Sequence, residues 1–427
     1  MLCFVITTVA IFLLASDCLA AEARRGTAPG LIAAAVFALN PSVLYMQSTP
    51  MSEMVFMAAL TVAVLAFRRW AADKTMRRLM AAALAMSVAT LSRYEAWPVA
   101  MVAVVLVGLM TAGPVTRRIR SATVYGLITA AGPLYWLWHN WAIFGNALEF
   151  YNGASSARGI YLQNQANLGW SRIFAGHVAL DVCLMLATVA VCAGPLVVLI
   201  GGAGLTRLAL NWRKHIRVCA PLGLLSLPFG FHVLSVYRGE IQIFPLSALG
   251  LLNVRYGLAG LLPLSLLAGL AATSFARRRR WVPGLVVLSV VVAQYGLAVS
   301  DGPADLAVYQ EGYRNGVNSR QARELSKAAA FLSANHPHDM VLMNTGELGP
   351  LVSRGGLTFG EVVHEGTARW YQFQDRIPGD VATVIIRDGD GLDQRFRNNP
   401  ALARDLASGL ALTYQAGGIR VFERAGK

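Results

Sequence analysis

The sequence predicts an all-α polytopic membrane bundle of about ten transmembrane helices over residues 1–300, followed by a small soluble α/β domain over residues 301–427. Three observations carry this reading: the amount of apolar sequence, its division into separate runs, and the placement of basic residues between the runs. Of 427 residues, 56% are hydrophobic and only 14% charged, and the mean hydropathy is +0.50. One soluble core of this length has no use for so much apolar surface, so much of it is expected to face lipid.

The apolar runs cover residues 2–20, 29–45, 54–67, 79–91, 98–112, 124–141, 179–205, 218–236, 256–275 and 282–299. Several fall short of the ~20 residues a straight span needs, which places their polar ends in protein or an aqueous cleft. Every second connection is basic. Arg24 and Arg25 form the first; Arg68, Arg69, Lys74, Arg77 and Arg78 the second; Arg117, Arg118 and Arg120 the third; Arg207, Arg213, Lys214 and Arg217 the fourth; and residues 277–280, all arginine, the last. Only Glu22 and Asp73 oppose them. The alternate connections are sparse in charge, with Arg93, Arg158, Arg172, Arg238 and Arg255 beside Glu53, Glu95, Glu149 and Glu240. The positive-inside rule makes the first set cytoplasmic and puts residues 301–427 on the non-cytoplasmic side. The formal charge of +14 is thus a topology signal with no nucleic-acid footprint left over.

The first run needs its own argument, because Cys18-Leu19-Ala20 looks like a signal-peptide cleavage point. No basic residue precedes the run, however, and Arg24 and Arg25 follow it, the reverse of a signal peptide. It is read as a span running from outside to inside, which leaves Met1 outside. All five cysteines, Cys3, Cys18, Cys183, Cys192 and Cys219, lie in or beside apolar runs, which argues against disulfides and CxxC metal sites.

Residues 142–178 and 237–255 form two long outer loops, the usual place for chemistry on such a scaffold. After residue 301 the pattern changes. Residues 320–334 read as an amphipathic helix, with Ala322, Leu325, Ala329 and Leu332 on one face. Residues 340–343, 357–363 and 381–386 read as strands, and residues 410–415 and 419–422 as a hairpin around Gly417-Gly418. The acidic run Asp388-Gly389-Asp390-Gly391-Leu392-Asp393 reads as a turn, since Leu392 stands where a calcium ligand is needed and no glutamate closes the loop.

Four outer segments carry the candidate chemistry. In Asn40-Pro41 through Pro50-Met51-Ser52-Glu53, Pro50 marks a helix start and Glu53 falls in its first turn. It reads either as a carboxylate stabilised by the helix N-terminus or as an acid facing a substrate cleft. Leu91-Ser92-Arg93-Tyr94-Glu95-Ala96-Trp97 packs a cation, a carboxylate and two aromatics into five positions. Tyr94 and Trp97 suit the interfacial belt, while Arg93 lacks a positive-inside rationale and suits a lipid phosphate. Trp138-His139-Asn140-Trp141 followed by Phe144-Gly145 offers aromatics beside polar groups, a structural arrangement or a sugar-binding one. Asn253-Val254-Arg255-Tyr256 heads the ninth run with a second outer arginine.

Taken in order, these segments, closed by an outer soluble domain, resemble the GT-C superfamily of membrane glycosyltransferases, including the protein O-mannosyltransferase and lipid A aminoarabinose transferase types. The resemblance covers residues 1–275 in pattern. It implies transfer of a sugar from a polyprenyl-phosphate carrier, in the cell (inner) membrane, to a glycan, lipid or protein acceptor on the non-cytoplasmic side. It also implies roles: Glu53 and Glu95 as catalytic carboxylates, and Arg93, Tyr94, His139, Asn140, Arg255 and Tyr256 as substrate-binding groups. No metal ligands are assigned and no cofactor is named. The family's main acid lies in a first outer loop, and the first helix here resembles the family's second, which implies an N-terminally truncated or non-catalytic relative as one alternative. A transporter or flippase is the other, although inverted repeats and mid-span charges would be its signature.

Overall fold

The computed structural model describes residues 1–19, 27–153, 156–163, 173–245, 251–276, 282–300, 307–335, 340–373 and 375–424. The chain forms two compact units, Met1–Glu311 and Gly312–Lys427.

The first unit is helical. It begins with α1 (Leu2–Leu19), α2 (Ala28–Ala38) and α3 (Pro41–Met46), then α4 (Glu53–Asp73), α5 (Met76–Ser92), α6 (Ala96–Met110), α7 (Val115–Thr129) and α8 (Ala131–Phe144). Two short helices, α9 (Glu149–Asn152) and α10 (Ala157–Gln163), lie in the long loop. Then come α11 (Val178–Ala193), α12 (Pro195–Leu210), α13 (Ile216–Tyr237), a 3-10 helix (Val254–Gly260) running into α14 (Leu261–Ala276), α15 (Val282–Ala298) and α16 (Ala307–Tyr313). The most extensive helix packing pairs α4 with α5, α12 with α14, α1 with α4, and α2 with α14.

Three apolar runs that the sequence reads as single spans are broken: 124–141 at Ala130, between α7 and α8, and two others whose breaks support each other. The run 29–45 stops at Asn40, whose Oδ1 caps α3 by accepting the Val43 N–H at 3.2 Å. The run 179–205 bends by 115° between α11 and α12, where Gly194 has φ of +88° and Pro195 begins the next helix. The bend frees carbonyls that an apolar surrounding cannot hydrate. Asn40 Nδ2 donates to the Cys192 carbonyl at 3.0 Å, and Gln294 Nε2 donates to that of Ala193 at 2.8 Å. The Asn-Pro pair is thus explained by structure alone.

Among the described residues, four helical segments are long and apolar enough to cross a membrane: Leu2–Leu19, Glu53–Asp73, Ile216–Tyr237 and Val254–Thr273. The bent α11–α12 pair is a fifth if counted as one span. The sequence reading counts about ten; the others are shorter helices such as Ala28–Ala38, Ala96–Met110 and Gly284–Ala298. Apolar side chains also face outward: Leu84 and Val88 on α5, Met101, Val105 and Leu109 on α6, and Leu285, Leu288 and Val292 on α15 are all exposed. Helices apolar on both faces are what a lipid surrounding favours.

Contacts place three connecting segments at one or the other end of α1. At one, Arg69 Nε pairs with Asp17 at 2.7 Å and the Cys18 thiol donates to the Arg217 carbonyl, so the basic connections after α4 and before α13 adjoin the end of α1. At the other, the Met1 amino group lies 3.5 Å from the Gln47 carbonyl. Arg24, Arg25, the arginines at 277–280, Glu22, Arg172 and Asp301 lie outside the described residues.

Small residues set the closest helix approach. A Cβ added to Gly204 on α12 would lie 2.1 Å from the Leu267 carbonyl oxygen of α14, whereas one on Gly202 would meet nothing within 4 Å. Gly204→Ala is therefore expected to destabilise the unit by about 1–3 kcal/mol, as overpacking does. Gly202→Ala is expected to be neutral or slightly stabilising. Thermal unfolding of the detergent-purified chain checks both; equal melting temperatures would mean that the α12–α14 contact is loose.

The boundary between the units falls after Glu311, beyond the 300/301 division expected from composition. The reason is α16, whose first half belongs to the helical unit. Val308 is buried in its core, the Tyr309 ring packs edge-on to Tyr45, and Gln310 Nε2 donates to the Ala298 carbonyl at 2.9 Å.

The second unit contains α17 (Arg320–Asn335), α18 (Thr345–Arg354), α19 (Ala368–Gln372), α20 (Gly391–Asn398) and α21 (Pro400–Gly409) around five strands. These are β1 (Met340–Met343), β2 (Val362–Val363), β3 (Val381–Arg387), β4 (Leu410–Ala416) and β5 (Ile419–Arg424), in the order β2-β1-β3-β5-β4. β1 runs parallel to β2 and β3, and the β4–β5 hairpin is antiparallel, turning at Gly417 and Gly418, both with positive φ. Alternate residues feed two cores. Val341, Met343 and Ile385 pack with Leu325, Leu332 and Leu348, while Leu342, Val384 and Ile386 pack with Leu392, Phe396 and Leu402. Burial on both faces explains why β3 is apolar almost throughout. The expected strand over 357–363 is reduced to β2, because Phe359–Glu361 forms a 3-10 turn closed by a capping box from Thr358.

The acidic run 388–393 is a turn that starts α20, with Asp390 Oδ1 accepting the Asp393 N–H at 2.7 Å. Burial opposes ionisation of Asp393, but the Gly389 N–H and the guanidiniums of Arg420 and Arg397 outweigh it and hold its carboxyl below the usual range. Arg420 lies 2.7 Å and Arg397 2.8 Å from its oxygens.

Candidate functional site

Three helix ends meet beside α13. Glu53 is the first residue of α4, directly after the Pro50-Met51-Ser52 turn. Arg93 terminates α5 in an extended conformation, and two residues later Glu95 precedes α6. Arg255 and Tyr256 stand in the first turn of the 3-10 helix, and His232 projects from the last turns of α13.

The two arginines converge on one oxygen. Arg93 Nη1 and Arg255 Nε each lie 2.9 Å from Glu53 Oε1. Arg93 Nε is also 2.5 Å from Glu95 Oε1, and Arg93 Nη1 donates to Ser52 Oγ at 3.2 Å. His232 Nε2 lies 3.6 Å from the same Glu95 oxygen. Both guanidiniums approach the Tyr256 ring, at 5.3 and 5.4 Å from its centroid, and His232 packs on that ring at 4.9 Å. Charges balance: two carboxylates face two guanidiniums in a mostly buried setting, where an unpaired charge is costly. Glu53 Oε2 is buried without a hydrogen-bond partner. Arg255 uses only Nε on Glu53, and among the described residues nothing accepts from its two Nη groups. The cavity bounded by Glu53, Arg93, Glu95, His232, Arg255 and Tyr256 has a volume of about 10 Å³, room for roughly one water.

The 3-10 helix that carries Arg255 is fixed from several sides. Gly257 packs so closely on α11 that an added Cβ would lie 2.5 Å from the Thr188 carbonyl oxygen. The Cys192 thiol donates to the Val254 carbonyl at 2.9 Å. Asn253 takes the left-handed conformation, φ +56°, which asparagine tolerates better than most residues, and its Nδ2 donates to the Gln242 carbonyl. Glu311, from α16, accepts the N–H groups of Asn253 at 2.7 Å and Val254 at 3.1 Å on its two carboxylate oxygens. Burial pushes the Glu311 carboxyl above the ordinary range, although these two N–H groups and the Arg255 charge pull the other way.

Five of the eight expected site residues are thus brought together: Glu53, Arg93, Glu95, Arg255 and Tyr256. The other three lie in a neighbouring aromatic group. Tyr94 stacks on Phe150 at 5.0 Å and meets Trp97 edge-on at 5.4 Å. His139 packs on Tyr135 and Trp136. Asn140 is buried, and its Nδ2 donates to the Trp136 carbonyl one turn earlier, a structural role. His232, Ser52 and Glu311 escaped the sequence reading. Of these only His232 carried a signal, an ionisable group within an apolar run; the reach of Glu311 to residues 57 and 58 positions away carried none.

The fold and site define a helical protein with outward apolar faces and a buried, charge-balanced arginine–carboxylate cluster at one end. Searched against protein-family models and curated proteins, the chain matches none.

Proposed function

We propose that the chain is a multi-pass inner-membrane glycosyltransferase of the GT-C type, moving a sugar from a polyprenyl-phosphate carrier to an acceptor on the non-cytoplasmic side. The proposal takes the shorter apolar helices as further spans, to about ten in all, and the cluster as facing outward. The observation that carries it is the convergence of Arg93 and Arg255 on Glu53 Oε1. Two guanidiniums presented to one anionic oxygen, with Nη groups to spare, suit a phosphate that gains charge as it leaves.

In the proposed reaction an acceptor hydroxyl attacks the anomeric carbon, the bond from that carbon to the phosphate oxygen breaks, and the lipid phosphate departs with the bonding pair. The hydroxyl proton goes to Glu53 Oε2, the buried oxygen without a partner. Glu95 holds Arg93 through Nε, and Tyr256 backs both cations. A sugar phosphate is far larger than the present cavity, so binding requires these side chains to part.

The test is a transfer assay with the full chain in proteoliposomes and a panel of short-chain polyprenyl-phosphate sugars. Release of free polyprenyl phosphate with formation of a glycosylated product is the expected result. A folded chain that releases lipid phosphate from no donor contradicts the proposal.

A further inference from the structure

We infer that Glu311 is a positioning residue for Arg255: its carboxylate clamps the two backbone amides immediately before that arginine and so fixes the guanidinium for the donor phosphate. The inference rests on the proposed reading of Arg255 as a phosphate-binding group. The geometry is specific. Each Glu311 oxygen takes one amide, Asn253 N at 2.7 Å and Val254 N at 3.1 Å, and the next residue is Arg255 itself. Charge-assisted bonds of this kind are roughly twice as strong as neutral ones. They are also needed here, because Asn253 holds a left-handed conformation that backbone sterics disfavour. The Val254 carbonyl is fixed independently by Cys192 and the Asn253 side chain by Gln242, so the Glu311 carboxylate completes the anchoring of this turn. If the amides are released, the turn bearing Arg255 and Tyr256 shifts against Glu53, 202 residues away in sequence and 2.9 Å away in space. A displacement of about 1 Å at such a site is enough to cost up to two orders of magnitude in rate.

The experiment compares wild type, Glu311→Gln, Glu311→Asp, Arg255→Ala and the Glu311→Gln/Arg255→Ala double variant, all as full chain in nanodiscs. Glu311→Gln is expected to lower kcat/KM for the donor about tenfold, and Glu311→Asp to recover part of the loss. In the Arg255→Ala background Glu311→Gln should have no further effect, because the two act as one unit. Additive losses, or an unchanged kcat/KM in Glu311→Gln while Arg255→Ala is impaired, would overturn the inference and leave the glycosyltransferase reading intact. Amide hydrogen exchange provides a readout that needs no donor. Glu311→Gln should speed exchange at residues 253–256 at least tenfold while α4 and α5 stay protected; unchanged exchange there would also overturn it. A wild type inert toward every donor sinks the functional reading instead, and the exchange result then decides the Glu311 clamp alone.

Discussion

Glu53→Leu should destabilise the helical unit by about 3–5 kcal/mol, the usual cost of removing one partner from a buried ion pair. The carboxylate is almost wholly buried and serves both Arg93 and Arg255, whose side chains are only 15% and 27% exposed. Leucine fills a similar volume, so the loss reports charge more than packing. Arg93 keeps Glu95, but the two guanidiniums then face each other with nothing between them. Glu53→Gln retains an acceptor oxygen and should cost markedly less. Thermal unfolding in detergent, with Glu53→Gln as the companion, checks the prediction. A Leu variant as stable as wild type would mean that both arginines reach water and that the cluster is not a closed pair.

Arg255→Ala and Arg93→Ala should each lower kcat/KM for a polyprenyl-phosphate sugar by about 100-fold or more, equivalent to about 3 kcal/mol of lost transition-state stabilisation. Arg255 is the cleaner test, since it has one carboxylate contact and lies on an element fixed by α11 and Glu311. Arg93 also ties α5 to α4 and α6 through Glu53 and Glu95, so its removal should lower stability as well. Lysine should rescue poorly at either position. A single ammonium cannot hold Glu53 through one nitrogen and present two more to a phosphate.

Much of the architecture was legible because it rests on composition and period. The helical character of the first unit and the helix over 320–334 follow from apolar content and the period of burial. β1 at Met340–Met343 and the Gly417-Gly418 hairpin follow from strand length and turn chemistry. The breaks at Asn40 and Gly194 were not legible, because apolar residues continue through both and the compensating hydrogen bonds come from distant helices. The same division holds for the site. Glu53, Arg93, Glu95 and Arg255 stood out as charges at the ends of apolar runs, where ionisable groups are expensive. Tyr94, His139 and Asn140 came from the aromatic-rich segments at 91–97 and 138–145, and they sit in an aromatic group of their own. Glu311 could not be seen because its role is to grip backbone amides, which no residue pattern reveals.

The measurement that bears most directly on the central claim is equilibrium binding of a short-chain polyprenyl phosphate, without sugar, to the full chain in nanodiscs, with the dephosphorylated polyprenol as control. The cluster predicts saturable binding of the phosphate but not the alcohol, and a loss of at least about 100-fold in affinity in the Arg93→Ala/Arg255→Ala double variant, from removal of two charge-assisted contacts. Equal affinity for phosphate and alcohol, or undiminished phosphate binding in the double variant, would show that the arginine–carboxylate cluster is a structural pairing of helix ends and not a site for a lipid-linked phosphate.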